Sequence, residues 1–181
     1  MYKEEEIISQ LRDPLTQRKA FDRIVTHYSE KLYWQIRKMV IDHEDANDLL
    51  QNTFIKAWMN INYFRGDAKL STWLYRIAIN ECMSFLNAQR QRNNISIDDA
   101  NVFLSEKLES DAYFDGDAAQ LKLQQAILRL PEKQRLVFNM RYYDELSYEQ
   151  MSGILGTSVG ALKASYHHAA KKIENFLTDI Y

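Results

Sequence analysis

Two groups of side chains in this 181-residue chain have types and spacings suited to holding nucleic acid. In the first, Trp73, Arg76, Asn80, Ser84 and Asn87 fall on one side of a helical wheel, beside a loop from Asn62 to Asp67 that carries Tyr63, Phe64 and Arg65. A tryptophan next to an arginine and an asparagine makes a surface that stacks bases and contacts backbone, as single-strand binders do. The competing arrangement folds Trp73 down onto the preceding helix. In the second group, Gly160, Lys163, Ala164, His167 and Lys171 lie about half a turn from an apolar stripe of Leu162, Tyr166, Ala169 and Ile173. Small and cationic groups suit entry into a DNA major groove. A plain helical hairpin with a solvated face has the same spacing. Catalysis has little support, because the scattered His and Asp residues match no catalytic spacing and no phosphate-cradling glycine loop occurs.

These groups need helices to position them, and the composition supplies little else. Five Gly and two Pro leave few turn and strand signals, and 46% hydrophobic residues suffice for one large or two small cores. An all-α protein is expected. Helices are predicted over 3–12 and 16–40, separated by Asp13-Pro14, with Phe21, Ile24, Val25, Tyr28, Leu32 and Ile36 as a core stripe. A third helix starts near Asp42 to Asp45 and runs to about Ile61. Its apolar side is Ala46, Leu49, Leu50, Thr53, Phe54 and Ala57, and Asp42, Glu44, Asp45 and Asp48 suit its N-terminus. Its remaining face is either solvated or a partner site. A fourth helix over about 71–89 buries Leu74, Tyr75, Ala78, Ile79, Cys82, Phe85 and Leu86.

Beyond Arg90 the helical period lapses until Ala119. Residues 119–130 then carry Leu121, Ile127, Leu128 and Leu130, and Pro131 opens another helix from a first-turn position, with Leu136, Val137 and Met140 buried. Ser147 and Gln150 form a capping box, Gly156 stops that helix, and Thr157 or Ser158 caps the next. The C-terminal part therefore has four helices, the last two a helix–turn–helix.

A net charge of −2 argues against indiscriminate nucleic-acid binding, but the charge is sorted into blocks. From Arg65 to Arg92 five basic residues face two acids, and from Ser158 to Lys172 there are three Lys, two His and no acid. Ser96 to Ala119 holds seven acids and one Lys, as expected of an acidic, partly helical linker. Cys82 is the only cysteine, so neither an intrachain disulfide nor a cysteine-based zinc site is expected. The start, MYKEEEIISQ, lacks signal-peptide blocks and no apolar run reaches membrane-spanning length, which predicts a cytoplasmic protein.

Taken in order, HEDANDLLQNTFIKAW, YFRGDAKLSTWLYRIAINECMSFL, an acidic linker, and LPEKQRLVFNMRYYDELSYEQMSGILGTSVGALKASYHHAAKKI closely resemble a bacterial RNA polymerase sigma factor of the extracytoplasmic-function group, within the sigma-70 family. The resemblance implies a region 2-like domain over 1–91, a linker over 92–118 and a region 4-like domain over 119–181. It implies binding to the clamp helices of the polymerase β′ subunit through Asp45, Asp48, Leu49, Gln51, Asn52, Phe54 and Trp58. Melting and holding of the −10 element falls to Phe64, Arg65, Lys69, Ser71, Thr72, Trp73, Arg76 and Asn80. Reading of duplex −35 DNA falls to Ser158, Gly160, Lys163, Ala164, His167 and Lys171, with phosphate support from Arg141, Lys172 and His168. Asn52 stands where many relatives have Glu, and Ser165, His168 and Ala170 stand where basic residues are frequent. The family further implies an anti-sigma factor, often membrane-bound, and neither cofactor, metal, small-molecule substrate nor catalytic residue. A stand-alone helix–turn–helix repressor, whose first domain senses a ligand or dimerises, is the alternative.

Overall fold

The computed structural model describes residues 3–93, 104–108 and 116–178, and every regular element among them is helical. The first four helices are α1 (Glu4–Leu11), α2 (Gln17–Val40), α3 (His43–Met59) and α4 (Leu70–Asn93), with a 3₁₀ turn over Ile61–Tyr63 between the last two. The turn between α1 and α2 is tied locally. Asp13 Oδ1 accepts from the Leu15 N–H at 3.0 Å, and the Thr16 hydroxyl donates to the Gln10 carbonyl at 2.8 Å. The stripe on α2 buries Phe21, Ile24, Tyr28, Leu32 and Ile36, and α3 and α4 pack against it. On α4 the buried residues are Leu70, Leu74, Tyr75, Ala78, Ile79, Cys82 and Leu86, with Phe85 partly covered. Burial pushes the Cys82 thiol up to about 12, which suits a core residue better than a reactive one.

Two boundaries differ from expectation. α4 continues to Asn93 rather than stopping near 89, because Gln and Arg are good helix formers and Arg90 finds Glu132 at 3.4 Å. Pro131 sits at the N-cap of the following helix, just outside its first turn.

The second group comprises α5 (Ala118–Leu128), α6 (Glu132–Tyr142), α7 (Tyr148–Leu155) and α8 (Val159–Thr178). Ala126, Ile127, Leu130, Phe138, Ala169 and Ile173 form its own core. The expected one-sided stripe on α6 is incomplete, because α6 lies between α8 and α2 and is buried nearly all round. Arg135 and Asn139 are both inside. Arg135 donates to the Leu128 carbonyl at 3.5 Å, and loss of hydration lowers its guanidinium to about 10.

Of the expected acidic linker, the helical stretch over 104–108 places Leu104 and Leu108 against Ile41 and Leu128, joining the two groups. Ile41 has a left-handed φ of 67° at the corner from α2 into α3, a strain of about 1–3 kcal/mol for a β-branched residue that this burial helps to hold. The acids Asp98, Asp99, Glu109, Asp111 and Asp115, and the apolar Val102, Phe103, Tyr113 and Phe114, lie outside the described residues.

Candidate nucleic-acid interface and partner surface

The loop before α4 is built to present a cavity. Ile61 anchors the 3₁₀ turn in the core, and Gly66 takes a φ of 81°, a conformation that side-chain-bearing residues rarely adopt. Arg12 Nη2 donates to the Arg65 carbonyl at 3.3 Å, and Glu4 Oε1 accepts from the Leu70 N–H at 2.8 Å. A carboxylate from α1 thus caps α4 and fixes the angle at which the loop enters it. The result is a cavity of about 160 Å³ lined by Tyr63, Phe64, Arg65, Gly66, Asp67, Ala68, Trp73 and Arg76. Phe64 and Trp73 meet with ring centroids 5.0 Å apart at 38°, so an apolar wall stands beside two cations.

Four of the eight residues expected here line that cavity: Phe64, Arg65, Trp73 and Arg76. Lys69 and Asn80 are exposed nearby on the chain, while Ser71 and Thr72 lie half-buried in the first turn of α4. Trp73 settles between the two arrangements open in the sequence. Its ring packs partly on the core and still forms a wall of the cavity. The face is less open than expected at Arg76, whose Nε donates to the Ile154 carbonyl at 3.2 Å and whose Nη2 donates to the Gly153 carbonyl, both on α7. Tyr63, 79% exposed, was visible as a loop aromatic but has no helical period to place it in a site.

The helix–turn–helix follows from its sequence signals. Ser147 and Gln150 make the capping box, with the two bonds at 3.2 and 2.8 Å, and Gly156 stops α7 at a φ of 65°. Ser158, rather than Thr157, accepts from the Ala161 N–H at 3.3 Å at the start of α8. Leu162, Ala169 and Ile173 face inward, and Ser158, Gly160, Lys163, Ala164, His167 and Lys171 are all exposed. Beneath them Phe138 stacks between Tyr142 and Tyr166, at centroid distances of 5.2 and 5.5 Å. Arg141 and Lys163 lie over the Tyr148 ring at 5.1 and 5.7 Å, so one ring gathers two cations at the edge of this exposed face. Among the described residues no group of His, Cys, Asp or Glu has the geometry of a metal site.

The third surface is α3. Asp42 caps it, accepting from the N–H groups of Glu44 and Asp45 at 2.9 and 3.0 Å. The Asp45 N–H bond, with Lys107 and the Glu44 N–H adding to it, holds this carboxyl below the usual value despite partial burial. Lys107 reaches both Asp42 and Asp45, at 3.5 and 3.3 Å. Asp48, Gln51, Asn52 and Trp58 are exposed, together with Ile55 and Met59, which widen the patch and interrupt its polarity. Leu49 and Phe54, expected as contact residues, are instead buried in the core: they sit on the inward side of α3 and hold the face in place.

Residues 24–92 match the model of sigma-70 region 2, and residues 120–173 match that of sigma-70 region 4. The chain is 32% identical to the RNA polymerase sigma-H factor of Pseudomonas aeruginosa over 168 residues, 88% of this chain and 87% of that one. It belongs to the sigma-70 family. Similar agreement links it to the ECF RNA polymerase sigma factor SigW of Bacillus subtilis, at 32% identity over 89% of this chain and 90% of that one, which places it in the extracytoplasmic-function group. Among solved structures, CnrH in complex with the cytosolic domain of CnrY shares the fold at a TM-score of 0.72 and 20% identity, over 97% of both chains. The sigma factor RpoE of Bartonella quintana, solved with the anti-sigma factor NepR, shares it at 0.68 and 20% identity, over 88% of this chain and 98% of that one. This sigma factor directs promoter-specific transcription initiation and is not itself an enzyme. The alternative of a stand-alone repressor has no support from these relatives.

Proposed function

We propose that this sigma factor divides its work among the three surfaces. The outer face of α3, with Asp48, Gln51, Asn52 and Trp58 exposed and Asp45 half-buried beside Lys107, docks on the clamp helices of the polymerase β′ subunit, with Leu49 and Phe54 supporting it from beneath. The Phe64–Trp73 cavity, with Arg65, Lys69, Ser71, Thr72, Arg76 and Asn80 around it, takes an extruded base of the −10 element. Ser158, Gly160, Lys163, Ala164, His167 and Lys171 read the −35 duplex, and Arg141, His168 and Lys172 contact phosphate. The domains span 1–91 and 119–181, with a linker over 92–118. The protein acts in the cytoplasm, where polymerase works, and an anti-sigma factor regulates it, a partner for which the NepR complex of RpoE is the support.

The observation that carries this assignment is the cavity itself, lined by the Phe64–Trp73 aromatic pair together with Arg65 and Arg76. Extruding a base costs a few kcal/mol, and stacking restores about 1–3 kcal/mol per base, so binding energy alone can hold an opened strand. Nucleotide addition belongs to the polymerase core. The test replaces Trp73 in the reconstituted holoenzyme. Trp73→Ala is expected to leave binding to core polymerase unchanged and to lower promoter opening about tenfold or more, followed by permanganate footprinting. Wild-type opening by Trp73→Ala would remove the cavity from the −10 assignment.

A further inference from the structure

The cavity before α4 is held by a helix that contributes none of its lining. Three side chains from α1 and the turn after it reach the segment over 60–70. Glu4 Oε1 accepts from the Leu70 N–H at 2.8 Å, Arg12 Nη2 donates to the Arg65 carbonyl at 3.3 Å, and Gln17 Nε2 donates to Asn62 Oδ1 at 2.9 Å. Between Asn62 and Leu70 run residues 63–68, six of the eight that line the cavity. Among the described residues, no backbone–backbone hydrogen bond outside the helices involves Arg65, Gly66, Asp67 or Ala68. Side chains from α1 therefore supply the ties that backbone pairing supplies elsewhere.

Sequence chemistry explains why α4 needs this help. It opens on Leu70 with Lys69 ahead of it, and a lysine side chain has no acceptor to offer the free N–H groups of a first turn. Glu4 supplies that acceptor from 66 residues earlier, and its charge suits the positive end of the helix dipole. α1 is itself fastened to the core. Ile7 and Leu11 are buried, and Arg23 on α2 meets Glu6 Oε1 at 3.2 Å and Gln10 Oε1 at 3.1 Å. The loop comes close to α1 at its left-handed residue: a Cβ built on Gly66 would lie 3.8 Å from Arg12 Nη2 and 3.9 Å from Ile8 Cγ2. Glu4, Arg12 and Gln17 all precede the residues that match sigma-70 region 2.

We propose that Glu4 and Arg12 are positioning residues for promoter opening, holding the loop over 62–69 in the shape that captures an extruded base. The proposal rests on the assignment of the cavity to −10 DNA. Both residues act through the loop and not on the DNA. A loop already in its bound shape pays little ordering cost on capture, so a tie made in the free protein is felt in the opened complex.

The reconstituted holoenzyme tests it. Glu4→Ala is expected to keep its affinity for core polymerase and for −35 duplex, and to lower promoter opening in permanganate footprints about fivefold, as for a competent loop populated about one time in five. Glu4→Gln keeps an oxygen that can accept from the Leu70 N–H, and should return opening to within about twofold of wild type. Arg12 is exposed, so Arg12→Ala leaves the core intact. Its opening should fall too, with an unchanged salt slope; a slope lowered by about one makes Arg12 a phosphate contact and overturns its positioning role. A double-mutant cycle with Trp73→Ala decides whether Glu4 acts through the cavity. If it does, adding Glu4→Ala to Trp73→Ala lowers opening by no more than about twofold. Losses that multiply, wild-type opening by Glu4→Ala, or a Glu4→Gln as impaired as Glu4→Ala would each overturn the positioning. Wild-type opening by Trp73→Ala alone instead removes the −10 assignment, so the two failures remain distinguishable.

Discussion

Asp42 shows how much a single side chain can be asked to do. It caps α3 through two N–H groups and faces Lys107 from the linker. Asp42→Ala should cost about 1 kcal/mol of stability, a typical price for losing such a cap. Because the folded carboxyl is held below its unfolded value, its contribution is present above the ordinary carboxylate range and disappears as pH falls through the folded value. Chemical denaturation between pH 2 and 6 should show that acid-side loss in wild type, and a smaller one in Asp42→Asn, which keeps a capping oxygen but cannot titrate. Lys163 carries a different prediction. If it neutralises one phosphate, Lys163→Ala weakens −35 binding and reduces the salt slope by about one. An unchanged slope assigns it to base reading or to holding Tyr148. The cap at Asp42 was legible as a negative charge at a helix start, whereas Lys107, 62 residues beyond Asp45, was not a partner any local pattern could name.

Among the elements, the helix–turn–helix was the most legible, because its start, stop and restart are chemical signals local to the chain. Ser147, Gln150, Gly156 and Ser158 act where their side chains predict. Gly156→Ala should destabilise the protein by about 1–2 kcal/mol in urea denaturation through its left-handed φ alone, since nothing lies within 4 Å of the added methyl. A neutral result would mean that the turn relaxes out of that conformation. Less legible was α4, whose apolar stripe ends at Leu86 although the helix continues to Asn93. Periodicity reports which face is buried, and it falls silent where a helix runs on with polar residues. On α3 the reverse occurred: Leu49 and Phe54 belong to the same segment as the partner face, yet the periodicity that makes them apolar also turns them inward.

At the scale of the whole molecule, sequence order revealed two helical domains and their family, and it revealed nothing of how they meet. Contacts such as Arg76 with Gly153 and Lys38 with Asp144 join residues 77 and 106 positions apart, a separation that no local pattern spans. The modest basic face of α8 makes sense at this scale. On the proposed assignment, Lys163, His167 and Lys171 need not carry promoter affinity alone, because polymerase and the −10 surface share it. The proposed division of labour joins a polymerase-docked α3, a base-holding cavity and a −35 reader. Run-off transcription with purified core RNA polymerase on genomic fragments puts all three to work at once. Discrete starts should appear only when the chain is added and should weaken with both Trp73→Ala and Lys163→Ala. A chain that neither binds core polymerase nor yields such starts would contradict it.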